Sequence, residues 1–278
     1  MKKIILIIIL ALATSFAYSQ KKEKIKGSKI VTTEIKKIES FSTLEVDDNL
    51  EVFLVKGNEF GLEIEADDNL HDAIEATISG STLRLSTLKN ISGYKKLSIR
   101  VTYTNDFKQV VSRNESVVSA IASIELDDIT FKCYDYSKLF LNSKAKNFTL
   151  IMDDKSKGEL NCKGENAVIN LTKNASLKSL ISVNNLTLDL YQKSDALVSG
   201  DAAQLKVRLD NNASLEAKEL TAKSAELTCE AYSTASLLVQ GTLSIDASGK
   251  SEIKLYGDQK IDMKRFVDNA VLYKKPTK

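Results

Sequence analysis

Tryptophan is absent from this 278-residue chain, and aromatic residues make up only 6% of it. Flat rings for stacking bases or sugars are therefore scarce, which argues against nucleic-acid binding. There is one histidine, His71, so a multi-histidine metal site is excluded. Its neighbours Leu70 and Asp72 give a Ser-His-Asp triad no local support. Proline occurs once and glycine eleven times, so the usual punctuation of turns is thin. Helix signals are weak as well. The one plausible helical turn is 69–74, where apolar residues recur four apart.

The chain opens MKKIILIIILALATSFAYSQ: Lys2 and Lys3, an apolar run from Ile4 to about Ala13, then small residues ending Ala17-Tyr18-Ser19. This is the pattern of a secretory signal peptide cleaved after Ser19, with an apolar run too short to span a bilayer. No cysteine lies near the cleavage site, so a lipoprotein anchor is not expected. The reading is an exported protein, periplasmic, outer-membrane associated or extracellular, with no transmembrane segment in the mature chain. Removing residues 1–19 takes two lysines from 39 basic residues and none from 37 acidic ones, so the mature chain carries no net formal charge. Residues 20–40 are Lys-rich and read as a solvated leader.

What the chain has in quantity is repetition. Aligned on the small residue that closes each polar knot, Ser116, Ser137, Ser156, Ala175, Ser194, Ala213, Thr234 and Ser251 follow at intervals of 21, 19, 19, 19, 19, 21 and 17. Before each knot from the second onward stands an alternating triplet, from Ile129-Phe131-Cys133 and Phe148-Leu150-Met152 through to Leu243-Ile245-Ala247. After the knot, apolar or small residues recur two and four places on, as in Leu139 and Leu141, and often again at eight, as in Ala145. No Asn-Gly or Asp-Gly hairpin pair stands between these strands. A sheet folded by hairpins is thereby disfavoured, whereas a coil that returns to the same azimuth and stacks on its predecessor fits.

The architecture predicted is all-β: a parallel β-helix of about 19–21 residues per coil, with Phe131, Leu150, Ile169, Leu188, Val207, Leu227 and Ile245 as one buried column. Asn and Asp in the knots suit left-handed corner geometry, and a corner hydroxyl can reach a neighbouring coil's backbone. Extra residues in the longer intervals are expected near 230–233. Residues 109–257 read as regular coils and 41–108 as a less regular part of the same solenoid. Residues 258–278 read as a C-terminal cap or tail, with Phe266, Val267, Val271 and Leu272 available to cover the last coil.

The stretches FSTLEVDDNLEVFLVKGNEFGLEIEADDNLHDAIEATISGSTLRLS and LSIRVTYTNDFKQVVSRNESVVSA, with the Ser-centred coils after them, resemble the DUF2807 family, described as the "putative auto-transporter adhesin, head GIN domain". The resemblance spans roughly 40–257 and implies a right-handed parallel β-helix in an exported protein. It supplies no catalytic residue to carry over. Ser-Gly corners common in the family are replaced here by Asn114-Glu115-Ser116, Asn174-Ala175-Ser176 and Asn212-Ala213-Ser214.

Among residues that could carry chemistry, paired acids come first. Asp135 and Asp154 occupy equivalent corners one coil apart, about 5 Å, near the carboxyl spacing of retaining glycosidases. The simpler reading makes both solvated corner residues. Acid pairs Asp47-Asp48, Asp67-Asp68 and Asp127-Asp128 lack a calcium-loop framework. Cys133 and Cys229 are expected to be buried thiols too far apart for a disulfide, with Cys162 on another side. Asp189 and Arg208 are expected to stack as an outward ion pair. No cofactor and no metal is expected. The functional expectation is a non-catalytic, adhesin-like or cell-envelope binding protein whose partner is a glycan or protein. The alternatives are a carbohydrate-active β-helix enzyme using Asp135 and Asp154, and an assembly element using the solenoid's ends.

Overall fold

The computed structural model describes residues 22–120 and 122–277, so the apolar leader and its cleavage signal lie outside the described residues. The chain forms a β-solenoid of about nine turns. Short strands come first: β1 (Lys24–Lys26), β2 (Val31–Lys36), β3 (Thr43–Val46), β4 (Glu51–Lys56) and β5 (Gly61–Asp67). A short 3-10 helix, Asp68–Ala73, follows at the predicted helical turn. Then come β6 (Ile74–Ser79), β7 (Thr82–Thr87), β8 (Asn90–Ser92), β9 (Leu97–Tyr103), β10 (Gln109–Ser112) and β11 (Val117–Ala120). The long strands are β12 (Ile124–Cys133), β13 (Lys138–Met152), β14 (Lys157–Leu171), β15 (Ser176–Tyr191), β16 (Asp195–Asp210), β17 (Ser214–Cys229) and β18 (Thr234–Ala247). β19 (Glu252–Tyr256), β20 (Lys260–Phe266) and β21 (Val271–Lys274) complete the chain.

From β12 to β18 each strand pairs in parallel with the next, and the inward triplets lie in register: Phe131 with Leu150, then Ile169, Leu188, Val207, Leu227 and Ile245. All seven are buried, none more than 2% exposed. Each contributes on the order of 1.5–3 kcal/mol relative to exposure. The period of 19 works because each coil repeats the same two bends. One is a tight turn at the knot, and the other is a kink within the long strand at Lys146, Glu165, Asn184 or Ala203, which the pairing skips.

From Asn114-Glu115 to Asn211-Asn212 the knots are β-turns whose two central residues both have positive φ, as in Asp135 (51°) and Tyr136 (62°), Asp154 (50°) and Lys155 (61°), or Asn211 (56°) and Asn212 (66°), whereas the last two knots have a single such residue, Ala231 (58°) and Gly249 (71°). Ser137 N donates to Tyr134 O at 3.0 Å to close its turn, and Ser156 N to Asp153 O at 3.2 Å. The paired form is the mirror-image turn that elsewhere makes hairpins, built in these knots without glycine. Successive corners are laddered together: Glu115 N donates to Asp135 O (2.9 Å), Tyr136 N to Asp154 O (3.0 Å) and Lys155 N to Lys173 O (3.0 Å). That inter-coil pairing offsets the cost of left-handed backbone at ordinary residues. The closing residues Ser116, Ser137, Ser156, Ser194, Ser233 and Ser251 are fully buried, and the Ser194 hydroxyl donates to Leu171 O at 3.0 Å.

Two details of register differ from the sequence reading. The seventh knot closes on buried Ser233 and not on Thr234, which points outward. The extra residue of that coil is not at 230–233 either: the offset changes between Leu197↔Glu216 and Ser199↔Glu219, a bulge at 217–218. An alternating pattern tolerates either placement, so the sequence alone left the position open.

The N-terminal part joins the same continuous core but does not stack in chain order. β3 and β4 pair in parallel with β10 and β11 on one side and with β7 and β9 on the other, so the first coil is sandwiched between two later ones. Beyond it the chain turns antiparallel, β6 on β7, β5 on β9 and β2 on β5. Buried Leu70, Ala73 and Ile74 close that end. At the other end residues 260–274 do not fold across the opening. They add one more parallel coil, β20 on β18 and β21 on β19.

Candidate functional site

Because every second side chain of a coil points out, the outer surface is a grid of columns one coil apart. One column is an amide ladder. Asn147 Nδ2 donates to Asp128 Oδ1 (2.7 Å), Asn166 Nδ2 to Asn147 Oδ1 (2.7 Å) and Asn185 Nδ2 to Asn166 Oδ1 (2.8 Å). Beyond Asn185 the same column continues as Gln204, Ser224, Thr242 and Lys260. Here it lines an open trough of about 920 Å³, whose other wall is the column Thr187, Lys206, Glu226, Ser244 and Asp262. Amide, hydroxyl, ammonium and carboxylate groups thus face one elongated hollow from a backbone fixed by the sheet. Sequence reasoning missed this trough, since beyond Asn185 the outward positions repeat no residue type.

A second, smaller hollow of about 360 Å³ lies on another side, where outward Phe140, Leu180 and Leu197 stand among Asn142, Glu159 and Lys178. The third, about 790 Å³, sits at the corner ridge near the N-terminal end and is lined by Lys22, Asp48, Tyr94, Glu115, Asp135 and Tyr136 among others.

The acids singled out from the sequence occupy turns and clasps. Asp135 and Asp154 are both central turn residues with positive φ, on adjacent coils as predicted, but only Asp135 lines a hollow. Beside them Asp153 receives Lys173 Nζ at 2.9 Å and the Asp154 N–H at 2.7 Å. Burial alone would raise its pKa, but Lys173, Thr172 and that N–H hold it below the usual value.

Asp47 and Asp48 sit at the first corner, where Asp47 accepts Asn114 Nδ2 (2.6 Å) and Asp48 accepts the Thr87 N–H (2.9 Å) and Lys22 Nζ. Asp67 is fully buried and accepts the backbone N–H groups of Lys29 (2.8 Å), Lys95 (3.0 Å) and Lys96 (3.0 Å). Burial would push its pKa up, but the donors from Lys96, Lys29 and Lys95 outweigh it and the carboxyl stays below its ordinary range. Asn69 adds two more links, accepting Ser28 N–H (2.9 Å) and donating to Lys26 O (2.8 Å). The echoed Asp-Asp-Asn therefore does two jobs: a corner at 47–49 and a clasp at 67–69 that pins residues 26–30. Among the described residues no group of three or more His, Cys, Asp or Glu is placed to hold a metal.

His71 is half-buried on the 3-10 turn, its Nε2 2.9 Å from Thr32 Oγ1 and its Nδ1 3.4 Å from Glu34 Oε2, and it serves to attach β2. All three cysteines are buried and unbridged. Burial pushes Cys133 up to about 11 and Cys162 and Cys229 up to about 12, so the thiols are inert at neutral pH. Asp189 and Arg208 are opposite in register, yet no N···O contact within 4.0 Å joins their side chains as the expected ion pair would. On a flat strand face in water two such side chains gain little from meeting.

The family described as "Putative auto-transporter adhesin, head GIN domain" matches residues 40–258. No curated protein matches the chain. Among solved structures, one from Parabacteroides merdae described as a putative adhesin aligns with a TM-score of 0.67 at 13% identity, covering 91% of this chain and 99% of that one. One from Parabacteroides distasonis described as a putative lipid binding protein aligns at 0.64 and 15% identity, covering 91% and 100%. A further putative adhesin from Parabacteroides distasonis aligns at 0.58 and 16% identity, covering 90% and 99%. At these identities the likeness is one of fold.

Proposed function

The chain belongs to the DUF2807 family, and from that membership we propose that it is an exported, non-catalytic β-solenoid of the cell envelope that works by adhesion. In this reading the leader at 1–19 directs export, and among the described residues no helix is long and apolar enough to cross a membrane. The ligand is a glycan chain or a protein strand laid along the outer face. The observation that carries the reading is the trough over Asn185, Gln204, Ser224, Thr242 and Lys260. It offers hydrogen-bond donors and acceptors at every coil step, and the sheet holds them in place before binding, so little order is lost on contact. Its two walls of amide, hydroxyl and charged groups suit a hydroxyl-rich glycan.

The corner acids support the same reading. Asp135 and Asp154 have their backbone groups in the corner ladder, and positive φ is a sufficient reason for a short polar side chain at each. The test is a glycan-array screen of residues 20–278, with a reducing-sugar release assay on every glycan that binds. Binding should fall at least about tenfold in Ser224→Arg, which fills the trough, and persist in the Asp135→Asn, Asp154→Asn double variant. Sugar release that disappears in that double variant would overturn the reading in favour of an enzyme.

A further inference from the structure

The last coil leaves the core open. Ile261 and Met263 extend the inward columns of Leu243 and Ile245, and Leu272 extends that of Ile253. Yet Ile261 is 38% and Met263 46% exposed, where the three residues beneath them are fully buried. Val267, Val271 and Tyr273 are exposed on the same coil. Above these side chains runs an edge of parallel strand, β20 and β21, that pairs with no further strand among the described residues. Apolar side chains that continue buried columns yet stand exposed mark an interaction site.

We propose that this end docks a second copy of the same chain, end to end about a twofold axis, with β20 of one copy pairing antiparallel with β20 of the other. The two ends of the molecule argue for this occupant. The N-terminal end is closed by buried Leu70, Ala73 and Ile74, so a head-to-tail stack would set the open columns of one copy against an end that leaves no inward column to meet them. Two C-terminal ends match apolar with apolar, and a closed dimer results.

Charge supports the same pairing. β20 is flat and in register from Lys260 to Met263, and the register shift beyond Met263 bounds that stretch. Antiparallel pairing centred on Ile261 sets Lys260 of each copy opposite Asp262 of the other, two opposite-charge cross-strand pairs. Asp262 now holds only exposed Lys264, a contact that exchanges at little cost. Ile261 meets Ile261 of the second copy, and each Met263, opposite Gln259, has that Ile261 as its diagonal neighbour.

The test uses the chain from residue 20 onward, which contains every described residue. Sedimentation velocity across a concentration series should give a dimer, and Met263→Lys should weaken it at least about tenfold by placing a charge in the apolar contact, with unchanged circular dichroism. Ile261→Cys should cross-link to a covalent dimer under mild oxidant, since residues opposite each other in an antiparallel pair are within disulfide reach. The native thiols are buried and do not compete. Thr77→Cys, on the edge of β6, should not cross-link. A chain that stays monomeric to about 100 μM, above the affinities typical of specific interfaces, would overturn the proposal. So would a dimer indifferent to Met263→Lys, or one trapped through Thr77→Cys.

Discussion

At its N-terminal end the solenoid turns antiparallel three times, lays a 3-10 turn across the core and ties the chain down with a buried carboxylate. At its C-terminal end it adds one more parallel coil, with inward Ile261 and Met263 exposed. Both ends face the same physical problem: a stacked core has no natural last layer, and its final strand presents an unpaired edge. Sealing takes irregular structure, and irregular structure costs the repeat its period. The region that protects the core is for that reason the region whose sequence looks least like the rest.

The sharpest way to break this contrast is to cut equivalent apolar groups at the two ends. Leu70→Ala removes a fully buried side chain from the seal and should cost about 2–5 kcal/mol in denaturant unfolding. Ile261→Ala, in solution dilute enough to hold the monomer, should cost less than about 1 kcal/mol because much of that side chain already meets water. Equal losses would mean that the two ends are buried alike.

Next in size is the clasp. A Cβ at Gly27 would stand 2.1 Å from Asp67 Oδ2 and 2.7 Å from the Tyr94 backbone, so Gly27→Ala must displace the segment that Asp67 holds. The expected cost is about 1–3 kcal/mol, with β1 and β2 released first and amide exchange at Lys29, Lys95 and Lys96 accelerated. No comparable effect should be seen at residues 260–274.

The smallest effect is a pH dependence confined to one end. Asp67 has its pKa lowered in the folded chain from an ordinary 3.8, so its contribution is complete above that value and is lost as pH falls through the folded one. Amide exchange followed downward from pH 6 should therefore loosen residues 26–30 and 94–96 before the central coils. Asp67→Asn should remove the pH dependence of that loosening. If β20 and β21 opened over the same range, the clasp would not be its cause.

The central coils are legible in the sequence because one residue type per azimuth repeats at a near-constant interval, and Leu188 can lie over Ile169 only if everything between them repeats too. Where a single residue slips, the pattern cannot report it. Ser233 and Thr234 are interchangeable on paper, and the bulge at 217–218 leaves each flanking triplet intact. The sandwiched first coil is invisible for a different reason: alternating strands read alike whether they run parallel or antiparallel, and nothing in Leu50-Val52-Leu54 names its neighbours. The trough lies on the outward half of the alternation, where solvent tolerates almost any side chain. Asn185, Gln204 and Ser224 become a site only once stacking has aligned them.

The insertion of residues 43–56 between strands made later has a consequence for how the molecule comes into being. Residues 43–56 cannot settle as they emerge during synthesis, because β7 and β9 on one side and β10 and β11 on the other have yet to appear. Assembly of that end must wait until roughly residue 120 is available, whereas the later coils can be laid down one upon another as they arrive. A chain threaded slowly through a narrow exit would therefore keep its leading portion pliable for longest and become rigid from the middle outward.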